Sequence, residues 1–170
     1  MATFKDYQPV KKNDDFFTRE KDWKTISRLI PKDKKVYMPF YSPYSKCNEL
    51  LGKYISNEIV YQDKDFFSYK ITDGIVVDNP PFSSKKDILK KLVEDDVPFM
   101  LLLPVSSMCY KYFRNTFNNK KGLQYVIIEN RAGFIKCSPN GDLTDDNKSC
   151  AFDCIWFCYK MNLENDITFL

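Results

Sequence analysis

The sequence predicts an α/β protein with a mainly parallel sheet and helices on both faces. Strand-like and helix-like segments alternate through the first two thirds of the chain, and several of the strand segments are uniformly apolar. Continuous apolar strands are typical of parallel sheets that are covered on both sides. A length of 170 residues and a hydrophobic content of 44 % fit one domain with a single core.

Two parts of the chain differ in composition. Residues 1–12 are polar and basic, and we expect them to form a flexible N-terminal arm. Residues 13–170 contain no linker-like stretch or internal repeat, and we expect one domain there. That domain opens with "DDFFTREKDWKTISRLI", in which Trp23, Ile26 and Ile30 recur at helical spacing before Pro31 ends the helix.

The next elements alternate between strand and helix. "KKVYMPFYS" predicts a strand that runs into a loop, "PYSKCNELLGKYI" a short helix closed by Gly52, and "NEIVYQD" a second strand followed by the turn "KDFF". "GIVV" predicts a buried strand. "SSKKDILKKLVEDD" then places four apolar residues on one helix face after two Ser residues that can cap it, namely Ile88, Leu89, Leu92 and Val93.

The last third of the chain is richer in strands. "FMLLLPV" predicts a strand, "MCYKYFRNTF" a helix, and "LQYVIIEN" and "GFIKC" two further strands before a polar loop at 138–149. "FDCIWFCYKM" predicts the final strand. Because the closing strands follow one another closely, we expect a C-terminal antiparallel hairpin or edge.

Composition also limits where the protein acts and what it binds. No signal peptide is visible, and the longest apolar run, "VPFMLLLPV", is too short to cross a bilayer, so we expect an intracellular protein without a membrane partner. The net charge is only +3, but lysines are clustered. Local basic patches therefore permit a polyanionic partner.

The cysteines do not suggest a metal site. The chain has six cysteines but no histidine and no C-x2-C pair, and we expect no bound metal. The C-x3-C-x3-C spacing of "CAFDCIWFCYK" is compatible with a cluster. Its alternation fits a strand better, with Cys154, Trp156 and Cys158 on one face, and favours buried thiols.

The stretch "DGIVVDNPPF" has the most unusual pattern. A buried strand stops at Asp78 and Asn79, and Pro80 and Pro81 then fix two successive φ angles, so that Asn79 and Phe82 belong to a rigid extended loop. In an open α/β sheet, ligands bind at the carboxyl ends of the strands. The loops "PFYSPYS", "QDKDFF", "DNPPF" and "LPVSS" all follow strands, and we expect them to share one cleft.

Asn79, Pro80, Pro81 and Phe82 resemble the signature of S-adenosylmethionine-dependent amino-methyltransferases, in particular small phage and viral proteins similar to N6-adenine methyltransferases. The resemblance implies a Rossmann-like methyltransferase fold. It also implies that the Asn79 side chain and the Pro80 carbonyl accept the hydrogens of a conjugated amine, so that its lone pair meets the methyl group. Phe82 would stack on a base turned out of its helix.

The resemblance extends over roughly residues 13–160. "NDDFFT" is similar to an N-terminal element that touches the cofactor, "YMPFYSPYSKCNELLGKY" to the first cofactor strand and loop, and "KDFF" to the pair that meets the cofactor adenine. Asp63 is implied as a partner of the ribose hydroxyls, and Asp78 has a minor part. The S-adenosylmethionine contacts implied in this way are Asp15, Phe17, Thr18, Pro39, Phe40, Tyr41, Asp63, Asp65, Phe66 and Asp78.

The resemblance implies methyl transfer to the N6 amine of adenine in nucleic acid, with DNA ahead of RNA. The same tetrapeptide also serves families that methylate guanine N2 in RNA or the glutamine amide of proteins. For nucleic acid, the segment at 106–121 interleaves aromatic residues with Lys111, Arg114, Lys120 and Lys121, which suits phosphate contacts and base stacking. An amphipathic helix with a solvated basic face explains that segment equally well.

One departure from the family pattern supports a second interpretation. The loop at 41–45 reads "YSPYS" and has no glycine, although the family's loop commonly carries glycines where backbone approaches the cofactor. A catalytically degenerate protein that keeps the fold and acts as a nucleic-acid-binding or scaffold subunit fits this loop. A homodimer or a partner methyltransferase subunit that completes the site is a further alternative, and Asn-Pro-Pro-Phe alone also fits a merely rigid turn.

Overall fold

The computed structural model describes residues 16–41, 45–61, 64–137, 143–144 and 152–170. Four of the sequence-based expectations lie outside these residues: the arm at 1–12, the cofactor contacts Asp15 and Asp63, and the centre of the glycine-free loop. Most of the polar loop at 138–149 also lies outside them.

Seven strands of the described chain form one sheet, and its mainly parallel order confirms the predicted Rossmann-like α/β fold. β2, β3, β4 and β5 pair in parallel, as do β6 and β10, whereas β9 is antiparallel to both of its neighbours. In sheet order the strands are β10 (Ile167–Phe169), β6 (Leu123–Ile127), β9 (Cys154–Tyr159), β5 (Phe99–Pro104), β4 (Gly74–Asp78), β2 (Lys35–Tyr37) and β3 (Ile59–Val60).

A small antiparallel sheet accompanies the large one. It consists of β1 (Phe16–Thr18), β7 (Phe134–Cys137) and β8 (Leu143–Thr144), with β7 in the middle. In the register of β1 and β7, Phe17 faces Ile135 and Thr18 faces Phe134. The described residues show no ladder that joins this sheet to the larger one, so side-chain packing attaches it.

Helices cover both faces of the large sheet. On one face Trp23 of α1 (Glu20–Ser27) packs on Trp156 with ring centroids 5.4 Å apart, and α1 packs on α2 (Cys47–Gly52). On the other, Phe113 of α4 (Lys111–Phe117) packs on Phe157 at 5.5 Å, and α4 packs on α3 (Lys85–Glu94). Trp156 and Phe157 are neighbours in β9 and therefore point to opposite faces.

The middle of the sheet carries the core. Every residue of β5 and β9 is buried, as the uniformly apolar strands predict. In α3 the buried residues are the four that the helical pattern selects, Ile88, Leu89, Leu92 and Val93. Cys154 and Cys158 are buried thiols, as the strand interpretation predicts.

Three elements differ from the sequence-based expectations. The first helix starts at Glu20 because Phe16–Thr18 pairs with β7 as a strand. The segment before α4 forms a separate 3-10 turn at Val105–Cys109. The antiparallel closing strand, β9, lies inside the sheet rather than at its edge, because it inserts between β5 and β6. The last strand of the described chain is instead β10, which the sequence did not predict and which adds in parallel to the far side of β6.

Two kinds of feature are absent from the described residues. None of their helices combines the length and the apolar character that crossing a bilayer requires. No group of three or more His, Cys, Asp or Glu side chains among them is placed to hold a metal ion.

We expect Gly74→Ala to destabilise the protein, because β4 begins where there is no room for a side chain. A Cβ at Gly74 would lie 2.6 Å from the Lys35 carbonyl oxygen and 2.7 Å from the Tyr37 ring. Overpacking of this kind costs about 1–3 kcal/mol of the free energy of unfolding, which urea denaturation followed by circular dichroism measures.

Gly52→Ala is the matched control for this prediction. At Gly52 the nearest atom to an added Cβ is Ile59 Cδ1 at 3.5 Å, an ordinary contact, and alanine favours the helix by up to about 1 kcal/mol. Equal urea midpoints for the two variants would contradict the packing argument.

Candidate functional site

Asp78 joins two loops at the carboxyl edge of the sheet. Its carboxylate accepts the backbone N–H of Phe40 through Oδ2 and that of Asn79 through Oδ1, both at 2.8 Å. The side chain is only 2 % exposed. Burial raises the pKa of Asp78 to about 7, although the two N–H donors oppose that shift. The sequence predicts Asp78 as a cofactor contact, but its observed partners are backbone groups, so it shapes the site.

The two polar atoms of the Asn79 side-chain amide differ: Nδ2 makes a hydrogen bond, and Oδ1 makes none to the described residues. Its Nδ2 donates to the Phe16 carbonyl oxygen at 2.7 Å. Only the NH2 end of an amide can donate to a carbonyl, so this bond defines the orientation of the side chain. Oδ1 is buried and has no hydrogen-bond donor among the described residues. A buried acceptor without a donor costs free energy and marks a place where a ligand donor fits.

The two prolines lead the chain from β4 into α3. Pro80 is buried, and the Pro81 carbonyl accepts the N–H of Ser84 at 3.1 Å, immediately before the helix. The Phe82 carbonyl also accepts from the Lys85 ammonium at 2.9 Å. The loop is therefore attached at both ends, in the strand–loop–helix context that the sequence predicts.

A small cavity lies beside Asn79. It encloses about 30 Å³, room for one or two water molecules, and Phe17, Thr18 and Cys47 contribute to its lining. The Thr18 hydroxyl is buried and, like Asn79 Oδ1, has no hydrogen-bond partner among the described residues. Burial raises the pKa of the Cys47 thiol to about 12, so the thiol is neutral. The cavity lining therefore combines aromatic and proline rings with the Thr18 hydroxyl and Asn79 Oδ1, two polar atoms that have no partner among the described residues, and Asp78 is its one acidic side chain.

Phe82 is not a free stacking platform, in contrast to the sequence-based expectation. It is only 8 % exposed. The Phe16 ring lies nearly parallel to it, at 19° and 6.1 Å between centroids, and Phe134 and Phe152 meet it edge-on at 6.2 and 5.3 Å. Phe16, Phe82, Phe134 and Phe152 thus form an aromatic cluster beside the loop.

The other segments expected to meet the cofactor adjoin Asp78 through Phe40, which also lines the cavity beside Asn79. Phe40 packs on Phe66 with centroids 5.0 Å apart, and Tyr41 packs on Tyr61 at 4.9 Å. Asp65 is exposed, and one of its oxygens caps the 3-10 turn Phe66–Ser68 by accepting the Phe67 N–H at 3.1 Å. Three of the four loops expected to share a cleft therefore meet, those that follow β2, β3 and β4.

The predicted nucleic-acid contacts do not lie together. Lys111 and Arg114 are exposed on α4, which starts just beyond the carboxyl end of β5. Lys120 and Lys121 precede β6. Strand pairing across β9 and β5 places Leu123, the first residue of β6, level with Val76 of β4, which is three residues before Asn79. Lys121 lines a separate groove at the amino edge of the sheet. The structure therefore separates these two lysines from the Asn79 cleft.

Sequence reasoning missed the main neighbours of the Asn-Pro-Pro-Phe loop. Phe16 supplies both the carbonyl that holds Asn79 and the ring that covers Phe82, and Phe134 and Phe152 complete the cluster. The sequence offered one indication for Phe16, namely that it precedes Phe17, which the family resemblance implies as a cofactor contact. No local pattern relates Phe134 and Phe152 to residue 82.

Comparison with known proteins gives a likeness in structure and no matching family model. A scan against protein-family models and a search of curated proteins found no match. A solved structure described as a possible methylase from Clostridium difficile 630 matches with a TM-score of 0.43 and 12 % sequence identity, over 84 % of this chain and 52 % of that one. The chain therefore spans about half the length of that structure.

We expect the free energy of unfolding to fall as the pH rises from 3.8, the ordinary pKa of an aspartate, to about 7, the pKa of Asp78 in the fold. A raised pKa means that the folded protein binds the proton more tightly than the unfolded chain does, so folding is favoured at low pH and loses this contribution on ionisation. Burial raises the pKa of Asp22 to about 6, and it acts in the same direction. Urea midpoints measured across this pH range test the prediction.

Asp78→Asn isolates the contribution of Asp78. The amide keeps one acceptor but turns its NH2 towards one of the two backbone N–H groups, so we expect lower stability at pH 4 and a flatter profile from pH 4 to 7. An identical slope in the variant and the parent protein would show that Asp78 does not titrate in this range.

Proposed function

We propose that the protein is a methyltransferase that uses S-adenosylmethionine to methylate a planar amine. One observation carries the proposal: Asn79 Oδ1 is a buried acceptor without a donor among the described residues, in a rigid loop at the carboxyl edge of the sheet. The lone pair of a conjugated amine is delocalised, and an acceptor fixed beside its N–H favours the geometry in which that lone pair attacks. No strong base is required at this position.

The substrate proposed is the N6 amine of adenine in nucleic acid, with DNA ahead of RNA. The likeness of Asn79, Pro80, Pro81 and Phe82 to the N6-adenine signature supports this choice. Guanine N2 and a glutamine amide present a similar planar nitrogen, and they are the substrate classes that an assay should compare.

The described residues have a suitable donor set for the proposed cofactor. Asp65 offers an exposed carboxylate to the adenine amine, while Phe40 and Tyr41 offer partly exposed aromatic rings. When bound, the cofactor supplies an electrophilic methyl group on a sulfonium. Phe66, which follows Asp65, is only 6 % exposed and packs on Phe40 with ring centroids 5.0 Å apart.

Nucleic acid would reach the site along the carboxyl edge of the sheet. Lys111 and Arg114 are exposed on the helix that begins there, and they are the phosphate contacts that we propose. Tyr110, half exposed and stacked on Tyr112 at 5.7 Å, offers an aromatic surface beside them. Lys120 and Lys121 are not part of this proposal because they lie at the other edge.

A second candidate function is binding without catalysis. The covered face of Phe82 and the 30 Å³ cavity both favour it, because neither leaves open space for a base or a cofactor. In this case the fold would serve as a nucleic-acid-binding or scaffold subunit. Cofactor binding separates the two functions.

We expect S-adenosylmethionine and its demethylated product to bind the parent protein with micromolar affinity in isothermal titration. Asp65→Ala should weaken that binding by at least about tenfold, because the carboxylate contact to the adenine amine is lost. Asp73→Ala is the control, since its exposed carboxylate pairs with Lys35 and Tyr37 just before the amino end of β4. Absence of binding by the parent protein would favour the second candidate.

We expect Asn79→Ala to reduce methyl transfer by a factor of about 10²–10³, the usual effect of removing one preorganised polar group from a transition state. The assay offers single-stranded DNA, duplex DNA and RNA with labelled methyl donor, and nucleoside mass spectrometry identifies the product. Asn118→Ala, at the exposed end of α4, is the control. Full activity of Asn79→Ala would overturn the role assigned to Asn79.

A further inference from the structure

We propose that Phe16 has two functions at this site: its backbone carbonyl positions Asn79, and its ring is a gate that covers the face of Phe82 until a substrate ring takes its place. The inference rests on the proposed function and extends it to a residue outside the Asn-Pro-Pro-Phe loop. It also bears on the substrate class, because a gate of this kind favours ring-shaped substrates.

The ring geometry identifies which neighbour is the gate. Among the described residues that contact Phe82, Phe134 and Phe152 meet it edge-on, with interplanar angles of 86° and 82°. Phe16 lies at 19°, close to parallel, with centroids 6.1 Å apart. An offset parallel arrangement is the one that a stacked nucleobase adopts on an aromatic side chain. Phe16 is therefore the neighbour whose orientation a stacked base would share.

The burial of Phe82 requires such a displacement. At 8 % exposure it presents no free face large enough for a planar ring. Phe16 itself is partly exposed, so its ring has a route to solvent. Departure of the Phe16 ring frees the place of a ring that lies parallel to Phe82, whereas departure of Phe134 or Phe152 frees the place of a ring that lies nearly perpendicular to it.

The backbone of Phe16 need not move when its ring does. Its carbonyl accepts from Asn79 Nδ2 at 2.7 Å, and β1 keeps its register with β7 from residue 16 to residue 18. Rotation about the Cα–Cβ bond of Phe16 moves the ring and leaves the carbonyl in place. Asn79 Oδ1 therefore stays oriented for the amine while the gate opens.

The gate discriminates between the candidate substrates. A nucleobase that displaces Phe16 restores a stacked pair with Phe82, whereas the aliphatic amide of glutamine does not. The structure therefore favours a base over a protein side chain as the substrate. The closed ring also lowers the apparent affinity for every substrate, because only molecules with an open gate bind.

Phe16→Ala removes the ring and keeps the carbonyl. We expect this variant to bind a fluorescent single-stranded oligo-deoxyadenylate about 3- to 10-fold more tightly than the parent protein, the range that corresponds to one aromatic pair, as measured by anisotropy. KM for the same oligonucleotide should fall by the same factor, whereas Asn79→Ala acts on kcat. Phe152→Ala is the matched control, because it removes an edge-on ring, and we expect it to change affinity by less than about twofold.

A second measurement does not depend on methyl transfer. Phe82→Trp places a fluorescent reporter under the gate, and both native tryptophans, Trp23 and Trp156, are fully buried. Acrylamide should quench the reporter weakly in Phe82→Trp alone and at least about twice as strongly when Phe16→Ala is added. Phe152→Ala added to the same reporter controls for general loosening of the cluster.

The outcomes separate the gate from the proposed function. Unchanged quenching on addition of Phe16→Ala, or equal quenching with Phe152→Ala, overturns the gate even in an active enzyme. Weaker oligonucleotide binding by Phe16→Ala also overturns it, because the ring would then be a substrate contact. Increased quenching specific to Phe16→Ala in a protein that methylates nothing supports the gate and refutes the methyltransferase proposal.

Discussion

The arrangement of the site depends on one buried carboxylate. Asp78 ends β4, and its two oxygens hold the backbone N–H groups of Phe40 and Asn79, which belong to loops on neighbouring strands. Burial of an ionisable group is unfavourable, as its raised pKa shows, and two backbone donors compensate for only part of that cost. The structural role of these two hydrogen bonds is to fix the distance between two loops. One loop would contact a cofactor, and the other would contact an amine.

The small sheet completes the site from the opposite side. Its strand β1 approaches the loop closely enough for a main-chain carbonyl to reach the Asn79 amide, and three aromatic rings from β1, β7 and the approach to β9 surround Phe82. The small sheet and the large sheet therefore meet at Asn79, and they differ in how firmly their strands are held. The large sheet is buried on both faces, whereas β1 pairs with a single strand over three residues.

Much of the fold could be predicted from the sequence, and less of the site. The apolar strands and the helical spacing of Trp23 and Ile88 depend on local periodicity, which a single sequence displays. The placement of β9 between β5 and β6 does not depend on local periodicity. It depends on which strand edges remain free once the other strands have paired. Likewise, Asn79 was recognisable from its two prolines, but the contacts of Phe82 with Phe134 and Phe152 join residues that are far apart in the chain. The burial of Phe82 was therefore not predictable from local sequence.

The position of β9 has a consequence for how the chain folds as it is synthesised. β9 is synthesised after both β5 and β6, yet it fills the gap between them and pairs with both. Until residue 159 emerges, β5 keeps an unpaired apolar edge and the two parts of the sheet have no hydrogen-bonded connection. Such an edge is a template for pairing between nascent chains. Formation of the core therefore waits until β9 has emerged, and the pairing of distant segments makes it slow compared with folding of a helical protein of similar length.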